Sequence, residues 1–324
     1  MAKAAASETA AATPLSSQEE VKAHRRQRTF RAALISPAML IIVLIMLVPL
    51  SLMLLYSFLE AGRYGGVEWE FSTEAYLNFL FQRQLDGSLV FTDSYVTIFG
   101  RSFALSFMTA VIALLIGFPG ALFIAMQPPK YRALLIFLVT IPFWTNLLVR
   151  NYAWVLLLRD FGVINNALMN IGVLGEPLPL MYNNFAIVLG LVYSFLPFMV
   201  LPIYASLEKI DWRLVEAAQD LGANRFHSLR RIVIPLAKPG IIAGSILVFV
   251  PSLGAYITPA LLGGGQNLMI GNLIQLQFGA AHNWPFGAAL AFILLATVLL
   301  FLLYWAWRAQ RKGEQSALRE STVG

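Results

Sequence analysis

Residues able to do chemistry are sparse in this chain, and their spacing does not suit catalysis. The three histidines, His24, His227 and His282, are far apart and lack the H-E-x-x-H spacing of a zinc hydrolase. Cysteine is absent, which excludes thiol nucleophiles, thiolate zinc sites and disulfides. There is no G-x-S-x-G elbow and no G-x-x-x-x-G-K-[ST] phosphate loop. Ser194 and Ser252 lie in apolar segments of span length, 185–206 and 241–262, that hold no histidine or carboxylate to activate them. Gly263-Gly264-Gly265-Gln266-Asn267 reads as a turn rather than a phosphate cradle. What remains is polar and aromatic: Trp144, Thr145, Asn146, Arg150, Asn151, Tyr152 and Trp154, then Tyr193 and Ser194 before Pro197, then Pro251, Ser252, Tyr256 and Thr258. Asn146 and Arg150, four apart, share a helix face. These groups fall within hydrophobic runs, where a polar side chain usually faces a bundle interior or a cavity.

The elements that must position them follow from composition. Of 324 residues, 58% are hydrophobic and 12% charged, with mean hydropathy +0.70. A soluble domain carries about 25% charged residues, so an ordinary soluble enzyme and a disordered chain are both excluded. The uncharged runs 32–59, 102–129, 133–149, 177–207 and 239–307 match or exceed the length of a membrane span. The last is split by its glycine turn and by Asn283-Trp284-Pro285. Six spans result, near 34–58, 103–126, 133–158, 185–206, 241–262 and 287–307. The fold class is an all-α polytopic membrane protein, with a six-span domain over 32–308.

An even number of spans places both termini on one side. Lys and Arg crowd the tail 1–31, the turn 127–132, the loop 207–240 and the tail 309–324. By the positive-inside rule these face the cytoplasm. The first span follows a long polar tail and lacks a small-x-small end, so it reads as a retained anchor rather than a signal peptide. The tail 1–31 is basic and expected to be disordered. The loop 59–101 is external and net acidic, long enough for a short interfacial helix or a small cap. Leu268, Met269, Ile270, Leu273, Ile274 and Leu276 predict a helix lying at the outer interface.

The cytoplasmic loop 207–240 is the longest inner connection. Its sequence suggests two helical stretches that meet at Gly222, where glycine permits a left-handed cap. Ala217, Ala218 and Leu221 form a small apolar face, and Glu216 and Asp220 lie one turn apart. A short exposed helical turn beneath a membrane bundle suits a docking role.

The spacing Glu216-Ala217-Ala218, then Gly222, then Ile232-x-Ile234-Pro235 resembles the EAA motif of ABC-importer permeases, with Ile234 where leucine is usual. The resemblance implies a type I permease fold. It also implies that Glu216, Ala217, Ala218, Gly222, Ile232 and Pro235 couple the chain to a cytoplasmic ATPase. The stretches 141–154, 162–166, 254–265, 269–274 and 284–289 are similar to spermidine/putrescine importer permeases. They imply a transport subunit rather than an enzyme, in a bacterial inner membrane. The implied partners are a second homologous permease, two ATPase subunits that bind the ATP, and an external solute-binding protein. Neither nucleic acid nor a metal or other cofactor of its own is implied.

For a polyamine, Trp144, Tyr193 and Tyr256 offer cation–π faces. Asn146 and Arg150 complete the candidate path. No Asp or Glu lies inside a span, so carboxylates must come from loops or from the partner permease. Arg150 would repel a polycation if it faced the path. It fits either an anionic or amino-acid-like solute or a structural cation that snorkels to the interface. An intramembrane enzyme or assembly factor is a further alternative, short of a catalytic pair.

Overall fold

The computed structural model describes residues 17–62, 64–83 and 88–321, with side chains over 35–62, 64–81 and 88–308. It divides at Leu55/Tyr56 into two compact units. The described part of the first unit belongs to one helix, α1 (Ser17–Tyr56), whose segment Ile35–Tyr56 is apolar all round. A helix without a polar stripe is one made for lipid or for a core. Residues 1–16 of the expected disordered tail lie outside the described residues, and from Ser17 onward the chain is helical.

The second unit begins with a cap of short elements: β1 (Leu59–Ala61), β2 (Val67–Phe71), α2 (Glu74–Leu77), β3 (Phe81–Arg83) and β4 (Leu89–Phe91). The strands form two antiparallel hairpins, which is the small departure from an all-α chain. Ring contacts hold each hairpin: Phe58 stacks on Phe71 at 5.9 Å, and Phe81 meets Phe91 edge-on at 6.0 Å. Ser57 and Tyr76 share a hydrogen bond of 2.8 Å that ties α2 to β1's approach.

The helices that follow are α3 (Ser94–Met126), α4 (Pro129–Trp144), α5 (Leu147–Leu158), α6 (Val163–Asn170), α7 (Asn184–Leu207), α8 (Arg213–Asp220) and α9 (Arg225–Ser228). A π-helical turn, Leu229–Val233, leads into α10 (Ile234–Leu253). Then come α11 (Ile257–Leu262), α12 (Ile270–Phe278) and α13 (Trp284–Ser321). Among the described residues five helices are long and apolar enough to cross a membrane, or six if the bent pair beginning with α4 is one span.

α7 is the centre of the bundle, packed on α3 and α10. Small residues make that packing close. Gly117 of α3 and Gly244 of α10 flank fully buried Met199, where added Cβ atoms would meet Met199 atoms at 3.0 Å. Gly240 presses on the Pro202 carbonyl and the Ile203 Cα. Without a hydrophobic drive between helices in lipid, such close approach is the main source of association. One apolar cluster, containing Ala121, Ile124, Ile203, Leu207 and Val233, lies at the end where α3 and α7 finish. Another, containing Phe79, Tyr95, Ile270, Phe286 and Leu290, joins the cap to α12 and α13.

Two expected spans are interrupted. The third, read as a continuous 133–158, breaks at Thr145–Asn146, and its two parts bend by 87°. Thr145 is extended, and its hydroxyl donates to the Pro142 carbonyl at 2.7 Å. Asn146 then starts a new helix, its Oδ1 accepting from the Leu148 N–H at 2.8 Å. The pattern of apolar residues does not register a cap because the break costs no hydrophobicity. The fifth span, read as 241–262, begins earlier and ends at Leu253, followed by the non-helical Gly254-Ala255-Tyr256. The predicted amphipathic helix is present as α12, but Ile270 and Leu273 are buried against α13 and the cap rather than spread on a surface.

Candidate functional site

The loop 207–240 builds a short projecting helix from local rules. Ile210 is buried, and Trp212 and Val215 pack on the bundle core, which anchors one side of α8. The opposite side carries Leu214, Ala217 and Leu221, at the three- and four-residue steps of one helix face. Glu216 and Ala217 are exposed, Ala218 is half-buried and Leu221 is 90% exposed. α8 stops at Gly222, whose φ is +88°. The Gly222 N–H donates to the Gln219 carbonyl and the Ala223 N–H to the Ala218 carbonyl, both at 2.9 Å. This is a Schellman ending, and it needs the left-handed residue that glycine supplies. Asn224 starts the next helix, its Oδ1 accepting from the His227 N–H at 2.7 Å. Pro235 has no N–H to donate back along the helix, and the π-helical turn ends immediately before α10. Ile232 is half-buried and Pro235 exposed. The two helical stretches therefore meet at Gly222, as the sequence implied.

The candidate path residues lie around the two breaks. Trp144 closes α4 and is 80% exposed. Asn146 is exposed and occupied as the cap of α5. Arg150 is half-buried, and its Nε is buried with no hydrogen-bond partner among the described residues. Tyr193 of α7 meets Trp154 of α5 edge-on, with centroids 5.6 Å apart. Tyr256 is 47% exposed in the α10–α11 break. Trp144, Asn146, Arg150 and Tyr256 share no side-chain hydrogen bond or ring contact with one another, so these residues flank the breaks rather than form one closed pocket.

What does converge is a joint of α5, α7 and α11 at Gly190. A Cβ there would meet Leu262 at 2.5 Å and Thr258 at 2.7 Å, with Asn151 Oδ1 at 3.7 Å. Asn151 is 1% exposed; its amide donates to the Leu147 carbonyl at 2.8 Å while its Oδ1 has no partner among the described residues. Asn272 of α12 is also buried, and it donates to the Tyr256 carbonyl at 2.6 Å. The sequence reading did not single out Gly190 or Asn272 as site residues. A glycine inside a span was the available signal for the first.

Comparison with known proteins identifies the family and the fold. Residues 117–313 match the family described as binding-protein-dependent transport system inner membrane component. The spermidine/putrescine transport system permease protein PotB of Haemophilus influenzae is 39% identical over 83% of this chain and 90% of that protein. PotB of Escherichia coli K12 is 44% identical over 67% of this chain and 78% of that protein. The fold resembles a chain in the crystal structure of a bacterial ABC transporter involved in import of the acidic polysaccharide alginate. The TM-score is 0.63 at 19% identity, over 90% of this chain and 99% of that one. A likeness at that identity speaks for the type I permease fold alone. Match, relatives and apolar helices agree: the chain belongs to the family of inner-membrane permease components of binding-protein-dependent transport systems.

Proposed function

We propose that this chain is the permease subunit of an ATP-driven importer of polyamines such as putrescine and spermidine. The observation that carries the reading is the 39% identity to a spermidine/putrescine permease over 83% of this chain and 90% of that protein. Both termini and the loop 207–240 face the cytoplasm in this reading, as the distribution of Lys and Arg favours. A second permease completes the path, two ATPase subunits bind beneath, and an external binding protein delivers the solute.

α8 is the coupling element. It is rigidly seated through Trp212 and Val215 and presents Glu216, Ala217 and Leu221 outward. Closure of the ATPase pair on ATP pulls such elements together and rocks the helices as rigid bodies between inward and outward states. Glu216, Ala217, Ala218 and Gly222 form the docking turn, and Ile232 and Pro235 set how it joins α10.

On the solute side, the spans carry no Asp or Glu. Ammonium groups are then met by aromatic faces and by carbonyls released where a helix is broken. Trp144, Tyr193 and Tyr256 supply the faces, and the break at Thr145 supplies a backbone carbonyl, since those of Asn146 and Tyr256 are taken by Arg150, Ala260 and Asn272. The unpartnered buried Nε of half-buried Arg150 favours a second reading, an anionic solute, because a buried donor left without an acceptor is costly.

The deciding experiment is uptake by the assembled importer in proteoliposomes, with labelled putrescine, spermidine and an anionic solute. ATP-dependent accumulation of the polyamines supports the proposal. Accumulation of the anionic solute alone overturns it in favour of the second reading.

A further inference from the structure

The break after α10 is held by a buried polar relay. α12 sits against the non-helical Gly254-Ala255-Tyr256, and the contact is as close as backbone allows. A Cβ on Gly271 would stand 2.6 Å from the Ala255 carbonyl oxygen and 2.7 Å from that of Gly254. Beside it Asn272, 4% exposed, uses both ends of its amide. Nδ2 donates to the Tyr256 carbonyl at 2.6 Å, and Oδ1 accepts from the Met269 N–H at 3.2 Å. Two residues before Asn272, the Ile270 N–H donates to Ser102 Oγ at 2.7 Å, and Ser102 in turn donates to the Ile98 carbonyl at 2.7 Å. Ser102, Met269 and Ile270 are fully buried. α3, the start of α12 and the broken segment are therefore joined by a chain of buried and partly buried hydrogen bonds.

A buried amide satisfied at both ends fixes geometry, because any shift leaves a polar group unpaired. Here the fixed group is the carbonyl of Tyr256. Its N–H and C=O lie at the start of α11, and its ring is 47% exposed. Holding the backbone at this point sets the direction in which the ring projects.

We infer that Asn272 is a positioning residue for the solute path: through the Tyr256 carbonyl it fixes the broken segment and thereby the presentation of the Tyr256 ring. The inference rests on the proposed role of Tyr256 in that path. It assigns the loop 263–269 and α12 a part in solute handling, beyond that of a surface connection.

The test uses the fully assembled importer in proteoliposomes, with Asn272→Asp and Asn272→Ser. Asp keeps the acceptor for Met269 but sets an oxygen against the Tyr256 carbonyl. Ser shortens the side chain and stays neutral. Assembly and basal ATP hydrolysis should persist, with the half-saturating putrescine concentration raised about tenfold, the effect of one lost buried hydrogen bond. The maximal rate should change far less, which a general loss of folded protein would not produce. The second readout needs no solute. The chain has no cysteine, so Tyr256→Cys places a single thiol in it. Its labelling rate by a water-soluble thiol reagent should change several-fold when Asn272 is replaced, while that of Leu300→Cys on α13 should not. Unchanged labelling and unchanged half-saturation in assembled complexes would overturn the inference and leave Asn272 a helix cap. Failure of both variants to assemble would overturn it too, by making Asn272 a folding residue. Altered labelling with unaltered polyamine kinetics would support the positioning and sink the polyamine path through Tyr256.

Discussion

Gly222 offers a graded test of the coupling turn, because the structure separates its two possible costs. A Cβ at this position meets nothing within 4 Å, so a substitution there carries no steric penalty. The cost is purely conformational: φ is +88°, and a side chain in the left-handed region costs about 1–2 kcal/mol. Gly222→Ala should weaken the docked turn by that amount, about 5- to 30-fold in apparent affinity for the ATPase subunit. Gly222→Asn should cost less, since Asn tolerates this region. Gly222→Pro is different in kind. It fixes φ near −65° and removes the N–H that donates to the Gln219 carbonyl, a cost of about 3 kcal/mol or more, over 100-fold. The assay is titration of the purified ATPase onto permease-containing proteoliposomes, followed by ATP-dependent uptake. The expected order is Gly, then Asn, then Ala, with Pro inactive but still inserted. Normal uptake by Gly222→Pro would refute the reasoning, as would an Asn variant as inactive as Pro.

Four further outcomes follow from the same geometry. Glu216→Ala should leave membrane insertion intact and abolish ATP-driven uptake, because Glu216 is exposed on α8 and supports no core contact; uptake and fractionation of the same cells measure both. Arg150→Gln should retain polyamine uptake, whereas loss of uptake by a variant that still assembles would place the guanidinium in the solute path. Gly240→Ala should lower the thermal midpoint in detergent, since its Cβ meets the Pro202 carbonyl and the Ile203 Cα, an overpacking cost of about 1–3 kcal/mol. Gly120→Ala, with nothing within 4 Å of the new Cβ, should leave that midpoint unchanged or raise it.

The parts of this fold that hydrophobicity specifies could be read from the chain. Ile35–Tyr56, Asn184–Leu207 and Trp284–Arg308 fall within a few residues of the spans expected at 34–58, 185–206 and 287–307. The turn at Gly222 was equally legible, because one residue type carries a conformation that the others avoid. The breaks were not. Thr145–Asn146 and Gly254–Tyr256 lie inside apolar runs, and their hydrogen bonds are made by side chains that a hydropathy pattern counts only as mild interruptions. Pro142 and Pro251 were visible, but Pro119 and Pro197 also lie inside helices that continue. What distinguishes the two cases is the partner that catches the freed groups: Asn146 in its own chain segment, and Asn272 from a helix that follows it. The second partner is supplied by tertiary structure and has no local signature.

The broken and unbroken helices divide the second unit by mechanical role. α3, α7 and α10 cross at Met199 with glycine on either side, a contact that slides or bends only by opening a packed core. Around Gly190 the arrangement is the reverse. α5 and α11 are short pieces ending in non-helical segments, packed on α7 through Leu262 and Thr258 and leaving Asn151 Oδ1 buried without a partner. Short elements joined at breaks can reorient by changing a few dihedral angles, while the long helices keep their packing. The loop bearing α8 is anchored to the packed side through Ile210, Trp212 and Val233. If α8 couples the chain to an ATPase, as proposed, a pull on it is delivered to the packed α3–α7–α10 body, and the α5–α11 joint is where the relative movement is expected. The proposed path residues Trp144, Asn146 and Tyr256 border the breaks that lead into α5 and α11, so in that proposal a coupled motion reaches the solute path without unpacking the core.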